Sequence, residues 1–70
     1  MELQLTKHAL EQMLERGVSK DEIREILLKG VKFGPDKKGN FHARMFGVEV
    51  VYVRSVNIYR IVTVFRSRLG

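Results

Sequence analysis

Seventy residues with 44% hydrophobic and 30% charged side chains and one proline make one ordinary folded module, too short for two cores and too apolar for a disordered tail. The chain has no cysteine, which excludes disulfides and thiolate metal sites and favours a cytoplasmic home. The net charge of +5 is uneven, with five basic and six acidic side chains in residues 1–30 but eight basic ones against only Asp36 and Glu49 in residues 31–70, a field that attracts RNA or another polyanion.

The amino terminus, Met1 to Leu5, has neither a basic start nor an apolar run. No stretch approaches the roughly 20 apolar residues of a membrane span, so neither secretion nor insertion is expected. Thr6 reads as the N-cap of a first helix over residues 6–16, with Leu5 and Leu10 spaced as a hydrophobic staple. Ala9, Leu10, Met13 and Leu14 form its apolar stripe, and Gly17 offers a left-handed stop after Arg16. Ser19 and Glu22 spell a capping box for a second helix over residues 19–29, with Val18 and Ile23 as staple and Ile23, Ile26 and Leu27 as the buried stripe. Gly30 closes it, and the short turn between the two predicts a hairpin of helices.

After Gly30 the apolar period becomes two, and β-branched and aromatic residues replace Leu, Glu and Lys. Strands are expected over residues 31–34, 41–46, 48–54 and 58–66, separated by the polar turn from Gly34 to Asn40, by Gly47, and by Ser55 to Asn57. The expected fold is α+β: a two-helix hairpin on a three- or four-stranded antiparallel sheet, in α-α-β-β-β-β order, within one domain spanning residues 1–70. Both parities of the last strand are apolar, so the pattern does not decide which face meets the helices. An exposed strand edge would allow pairing with a second copy of the chain.

Candidate chemistry falls on a handful of residues. On an ideal helical wheel His8, Gln12 and Glu15 lie nearly opposite the apolar stripe, with Arg16 at its flank. An exposed His8 can move protons near neutral pH, although a lone histidine is more often ordinary surface. Arg16 can bind phosphate or pair with Glu15 in water. His42 and Arg44 alternate with Phe41, Ala43 and Met45 and so share one strand face. An imidazole beside a guanidinium suits phosphodiester cleavage, one moving a proton while the other stabilises charge on the transition state.

Arg60 and Arg66 share a parity on the last strand and, with Arg44, Lys37 and Lys38, are the candidate nucleic-acid contacts. Tyr52 and Tyr59 are core residues or base-stacking platforms. Thr63 is either a half-buried β-former or a hydroxyl that hydrogen-bonds a phosphate. The sequence contains no His-Cys cluster, no His-Glu-x-x-His, no phosphate-cradling Gly-rich loop and no dinucleotide fingerprint. Neither a metal nor a cofactor is expected.

The run from His8 through Ser19, followed by Glu22-Ile23, Gly30 and the late Ile61-Val62-Thr63-Val64, resembles the prokaryotic family catalogued as domain of unknown function 4258. By this resemblance the carried-over site positions are His8, Arg16 and Thr63; the family often has Arg where this chain has Gln12. The family in turn looks like the compact ribonuclease-toxin folds of the RelE and colicin type, in which helices precede an antiparallel sheet. The resemblance bears on the fold more than on the activity; together with the residues above, one hypothesis is a metal-independent endoribonuclease acting on RNA, the toxin half of a pair with an acidic antitoxin-like protein. His8, His42, Arg16 and Thr63 are then the candidate catalytic residues. The alternative is a non-catalytic module that binds nucleic acid or an acidic protein, marked by binding that weakens as salt rises.

Overall fold

A computed structural model describes residues 1–66, so Arg68, counted above in the basic half, lies outside the described residues. Strand β1 (Glu2–Leu5) is followed by helices α1 (Lys7–Arg16) and α2 (Lys20–Lys29) and then by strands β2 (Val31–Phe33), β3 (Phe41–Met45), β4 (Val48–Ser55) and β5 (Ile58–Arg66). The α+β class stands, but the sheet has five strands in the order β1-β5-β4-β3-β2 and is mixed. It is not the three- or four-stranded antiparallel sheet expected. The added strand pairs parallel to β5, Leu3 beside Tyr59 and Leu5 beside Ile61. Its sequence alternates polar and apolar residues as a strand should, but four residues cannot announce a partner more than fifty positions away.

Both helix starts are capped as their sequences promise. The Thr6 hydroxyl accepts the Ala9 N–H, and Ser19 and Glu22 exchange the two bonds of a capping box. Gly17 ends α1 in the left-handed conformation at φ 66°, with its N–H on the Met13 carbonyl. Gly30 differs: its backbone is extended, and glycine is needed there because a Cβ would lie 2.5 Å from the Ile26 carbonyl oxygen and 2.9 Å from that of Arg44. The end of α2 is thus pressed onto β3. Phe46 and Gly47, both at positive φ, make the tight turn between β3 and β4 that matches strand twist.

The core lies between one face of the sheet and the helices. Ala9 and Met13 of α1 and Ile23, Ile26 and Leu27 of α2 meet Ala43, Val48, Val50, Tyr52, Ile61 and Val64, with Leu3, Leu5 and Tyr59 at the margin. Burying each large aliphatic side chain contributes roughly 1.5–3 kcal/mol, which is what holds the two layers together. The expected stripe of α1 is half right: Leu10 and Leu14 are 44% and 83% exposed. The helix is rolled so that the small Ala9 and the flexible Met13 face β5 and Gln12 faces the sheet edge.

That rotation has a polar cause. Strand β1 covers the outer edge of β5 only as far as Ile61. Past that point the Val64 N–H donates to Gln12 Oε1 at 2.8 Å, the Thr63 hydroxyl donates to the same oxygen, and the Thr6 hydroxyl serves the carbonyls of Ile61 and Val62 at 3.0 and 3.2 Å. Helix α1 therefore finishes the edge with side chains where strand pairing stops. A part-buried N–H left without a partner costs about 1–3 kcal/mol, comparable to burying a leucine, so the helix turns to supply one.

Candidate functional site

The second face of the sheet carries no helix. Cross-strand register places Phe33, His42, Val51 and Thr63 in one row across it, and Val31, Arg44, Glu49 and Phe65 in the next. A bulge between Val51 and Tyr52 resets the alternation of β5. Arg60, opposite Val53, consequently lies on this helix-free face. Arg66 lies opposite the core residue Val48, and its guanidinium reaches the Arg16 carbonyl at 3.4 Å. The shared parity expected of Arg60 and Arg66 is lost, because an inserted residue flips every later side chain.

His42 sits at the centre of this face. Its Nδ1 is 2.8 Å from Glu49 Oε2 and its Nε2 is 2.9 Å from Asp36 Oδ2. Ionised carboxylates only accept, so the form of the ring that satisfies both contacts is the imidazolium, with a proton on each nitrogen. Glu49 is only 8% exposed and also faces the Arg44 guanidinium at 3.8 Å. The Phe33 ring stacks on His42, with centroids 5.0 Å apart, and carries the Arg44 guanidinium at 5.2 Å from its centroid. Asp36 belongs to the loop joining β2 and β3, where its Oδ1 accepts the backbone N–H groups of Lys38 and Asn40. One carboxylate oxygen thus shapes the loop while the other ties it to the sheet.

Burial taken alone would lower the His42 pKa, but the hydrogen bonds and charges of Asp36 and Glu49 outweigh it and hold the ring above its ordinary 6.5. The same His42 bond, with the Asn40 and Lys38 N–H groups, holds Asp36 below its ordinary 3.8. A raised histidine contributes stability that is complete below 6.5 and is lost as pH rises through its folded pKa. A lowered aspartate contributes stability that is complete above 3.8 and is lost as pH falls through its folded pKa. Chemical denaturation should therefore show the protein gaining stability as pH falls through the raised pKa of His42 to below 6.5, and His42→Gln should flatten that slope. An unchanged slope in the variant would assign the pH dependence elsewhere.

An open groove of about 470 Å³ runs beside this cluster, lined by Asp36, Lys37, Lys38, Asn40, His42, Val51, Val62 and Thr63. Val51, 5% exposed, and Val62 contribute aliphatic surface to it, and Lys37, Lys38 and His42 stand with the Asp36 carboxylate among the residues that line it. Of the sequence-derived residues, His42, Lys37, Lys38 and Thr63 meet here, and Arg44 lies one row away. His8 and Arg16 do not line the groove: His8 is exposed near the start of α1, and Arg16 pairs with Glu15 at 3.6 Å at its end. The Thr63 hydroxyl is committed to Gln12. Sequence reasoning missed Asp36 and Glu49, although Glu49, an acid in the middle of an otherwise apolar strand opposite an arginine-bearing one, was a visible anomaly.

A family model described as Domain of unknown function (DUF4258) matches residues 5–66, nearly the whole chain. No curated protein and no solved structure matches. No helix among the described residues is long and apolar enough to cross a membrane.

Proposed function

The chain belongs to the family described as Domain of unknown function (DUF4258), and from that premise we propose that it is a metal-independent endoribonuclease acting through its helix-free sheet face. The family name carries no chemistry, so the reading rests on the site. One observation carries it: a buried carboxylate, Glu49, anchors one nitrogen of His42, and the other nitrogen is held by Asp36 at a groove that Lys37 and Lys38 also line. In cleavage by a neighbouring 2′-hydroxyl, that hydroxyl gives its proton to solvent water as its oxygen bonds phosphorus and the bond to the leaving 5′-oxygen breaks. His42 donates its Nε2 proton to that oxygen, and the lysines stabilise the charge on phosphorus-bound oxygens. Glu49 holds the ring in place and stabilises its cationic form, as carboxylates do for catalytic imidazoles elsewhere. An acidic antitoxin-like protein would occupy the same basic face as a competitor of RNA.

The test is incubation of the purified protein with mixed RNA in EDTA beside His42→Ala and His8→Ala. Cleavage by the parent, reduced about 10²- to 10⁴-fold in His42→Ala, is the expected result. Loss in His8→Ala alone would move the proton transfer to α1. A second reading is favoured by the fact that both His42 nitrogens are already bonded. In it the ring is a fixed cation, and the face binds RNA without cutting it, with affinity that falls as salt rises.

A further inference from the structure

Asp36 does two things that a loop-capping aspartate need not do together. Its Oδ1 closes the turn through the Lys38 and Asn40 N–H groups, and its Oδ2 is aimed across the loop at His42 Nε2. The carboxylate therefore occupies the position on the imidazolium that an anionic ligand would take, in a groove that Lys37, Lys38, Val51 and Val62 also line. An imidazole beside aliphatic surface, with Lys37 and Lys38 in the same lining, fits one nucleotide: phosphate at the imidazole, base or ribose against the valines. In the free protein this position is held by the chain's own anion.

We propose that the groove is a subsite for a single nucleotide unit of RNA, and that Asp36 is a tethered stand-in for its phosphate, a latch that the phosphate must displace from His42. The proposal rests on the reading of this face as an RNA site and adds the unit bound and the group that regulates entry. A carboxylate has the charge sign and hydrogen-bonding capacity of a phosphate oxygen pair, so exchange of one for the other leaves the imidazolium satisfied throughout. The loop needs no unfolding for this, because the turn is also closed by backbone bonds from the Asp36 N–H to the Asn40 carbonyl and from the Gly39 N–H to the Asp36 carbonyl.

The discriminating variant is Asp36→Asn, which keeps an oxygen to cap the turn and removes the negative charge; Asp36→Ser, whose hydroxyl also caps turns, serves if the first does not fold. Adenosine monophosphate is titrated into parent and variant at about pH 5.5, where an imidazole is protonated without help from Asp36, following the His42 ring-nitrogen resonances by NMR and the affinity by calorimetry. The expected result is roughly tenfold tighter binding by the variant, the scale of one competing charge-assisted contact, with the Nε2 resonance moving on ligand addition in both proteins. Equal affinities, or binding that leaves Nε2 unmoved, would overturn the latch. Neither readout involves cleavage. RNA left intact by every protein, together with tighter nucleotide binding by the variant, would support the latch while overturning the nucleolytic reading.

Discussion

Gly30→Ala is expected to destabilise the protein by about 3 kcal/mol or more, at the upper end of what one extra methyl does to a packed interior. Gly30 has an ordinary negative φ of −72°, so alanine meets no conformational penalty there. The obstacle is space: the new Cβ would fall 2.5 Å from the Ile26 carbonyl oxygen and 2.9 Å from the Arg44 carbonyl oxygen. Both are backbone atoms and cannot swing aside as a side chain would. Relief requires lifting the end of α2 from β3, which pulls Ile26 and Leu27 out of the core. The stability of a domain this size is about 4–10 kcal/mol, so the loss is a large fraction of the whole. Gly17→Ala is the control. Nothing lies within 4 Å of its Cβ, and only its positive φ of 66° opposes the change, a cost of about 1 kcal/mol. Urea denaturation of both variants checks the contrast, and equal losses would refute the steric account.

Glu49→Ala should cost about 2–3 kcal/mol at pH 5.5, less than the loss of one partner from a fully buried pair, because His42 keeps some access to water. The carboxylate receives Nδ1 of His42 at 2.8 Å and faces Arg44 at 3.8 Å, so its removal leaves two cations on one sheet face with Asp36 as the remaining acid beside them. The cost should fall as pH rises through the raised pKa of His42, since a neutral imidazole loses only an ordinary hydrogen bond when Glu49 goes. Denaturation at pH 5.5 and 8.5 reads this directly. A cost independent of pH would mean that Glu49 acts through packing and not through the imidazolium. If cleavage is found, the same variant should lose rate while keeping RNA affinity, because Glu49 positions the ring without touching the ligand.

The local features of the fold were legible because they are written locally. Thr6, Ser19, Glu22 and Gly17 occupy cap positions whose hydrogen bonds span three or four residues, and the change of period after Gly30 separates helices from strands. The strand limits differ from expectation by a residue at β2, β3 and β4, where pairing partners decide the ends. His42 and Arg44 could be placed on one face from alternation alone. The roll of α1 could not, because hydrophobicity favoured Leu10 and Leu14 while an uncovered stretch of β5 edge, fifty residues away, demanded Gln12.

By itself, then, the sequence determined two capped helices, a succession of strands, the α+β class and a basic second half, all consequences of contacts between near neighbours or of composition. Tertiary structure alone decided the parallel strand at the sheet edge, the bulge that parts Arg60 from Arg66, and the joining of Asp36, His42 and Glu49 into one charged cluster. Each of these depends on which groups face one another across strands, and register is set by the sum of many weak pairings that no single segment encodes.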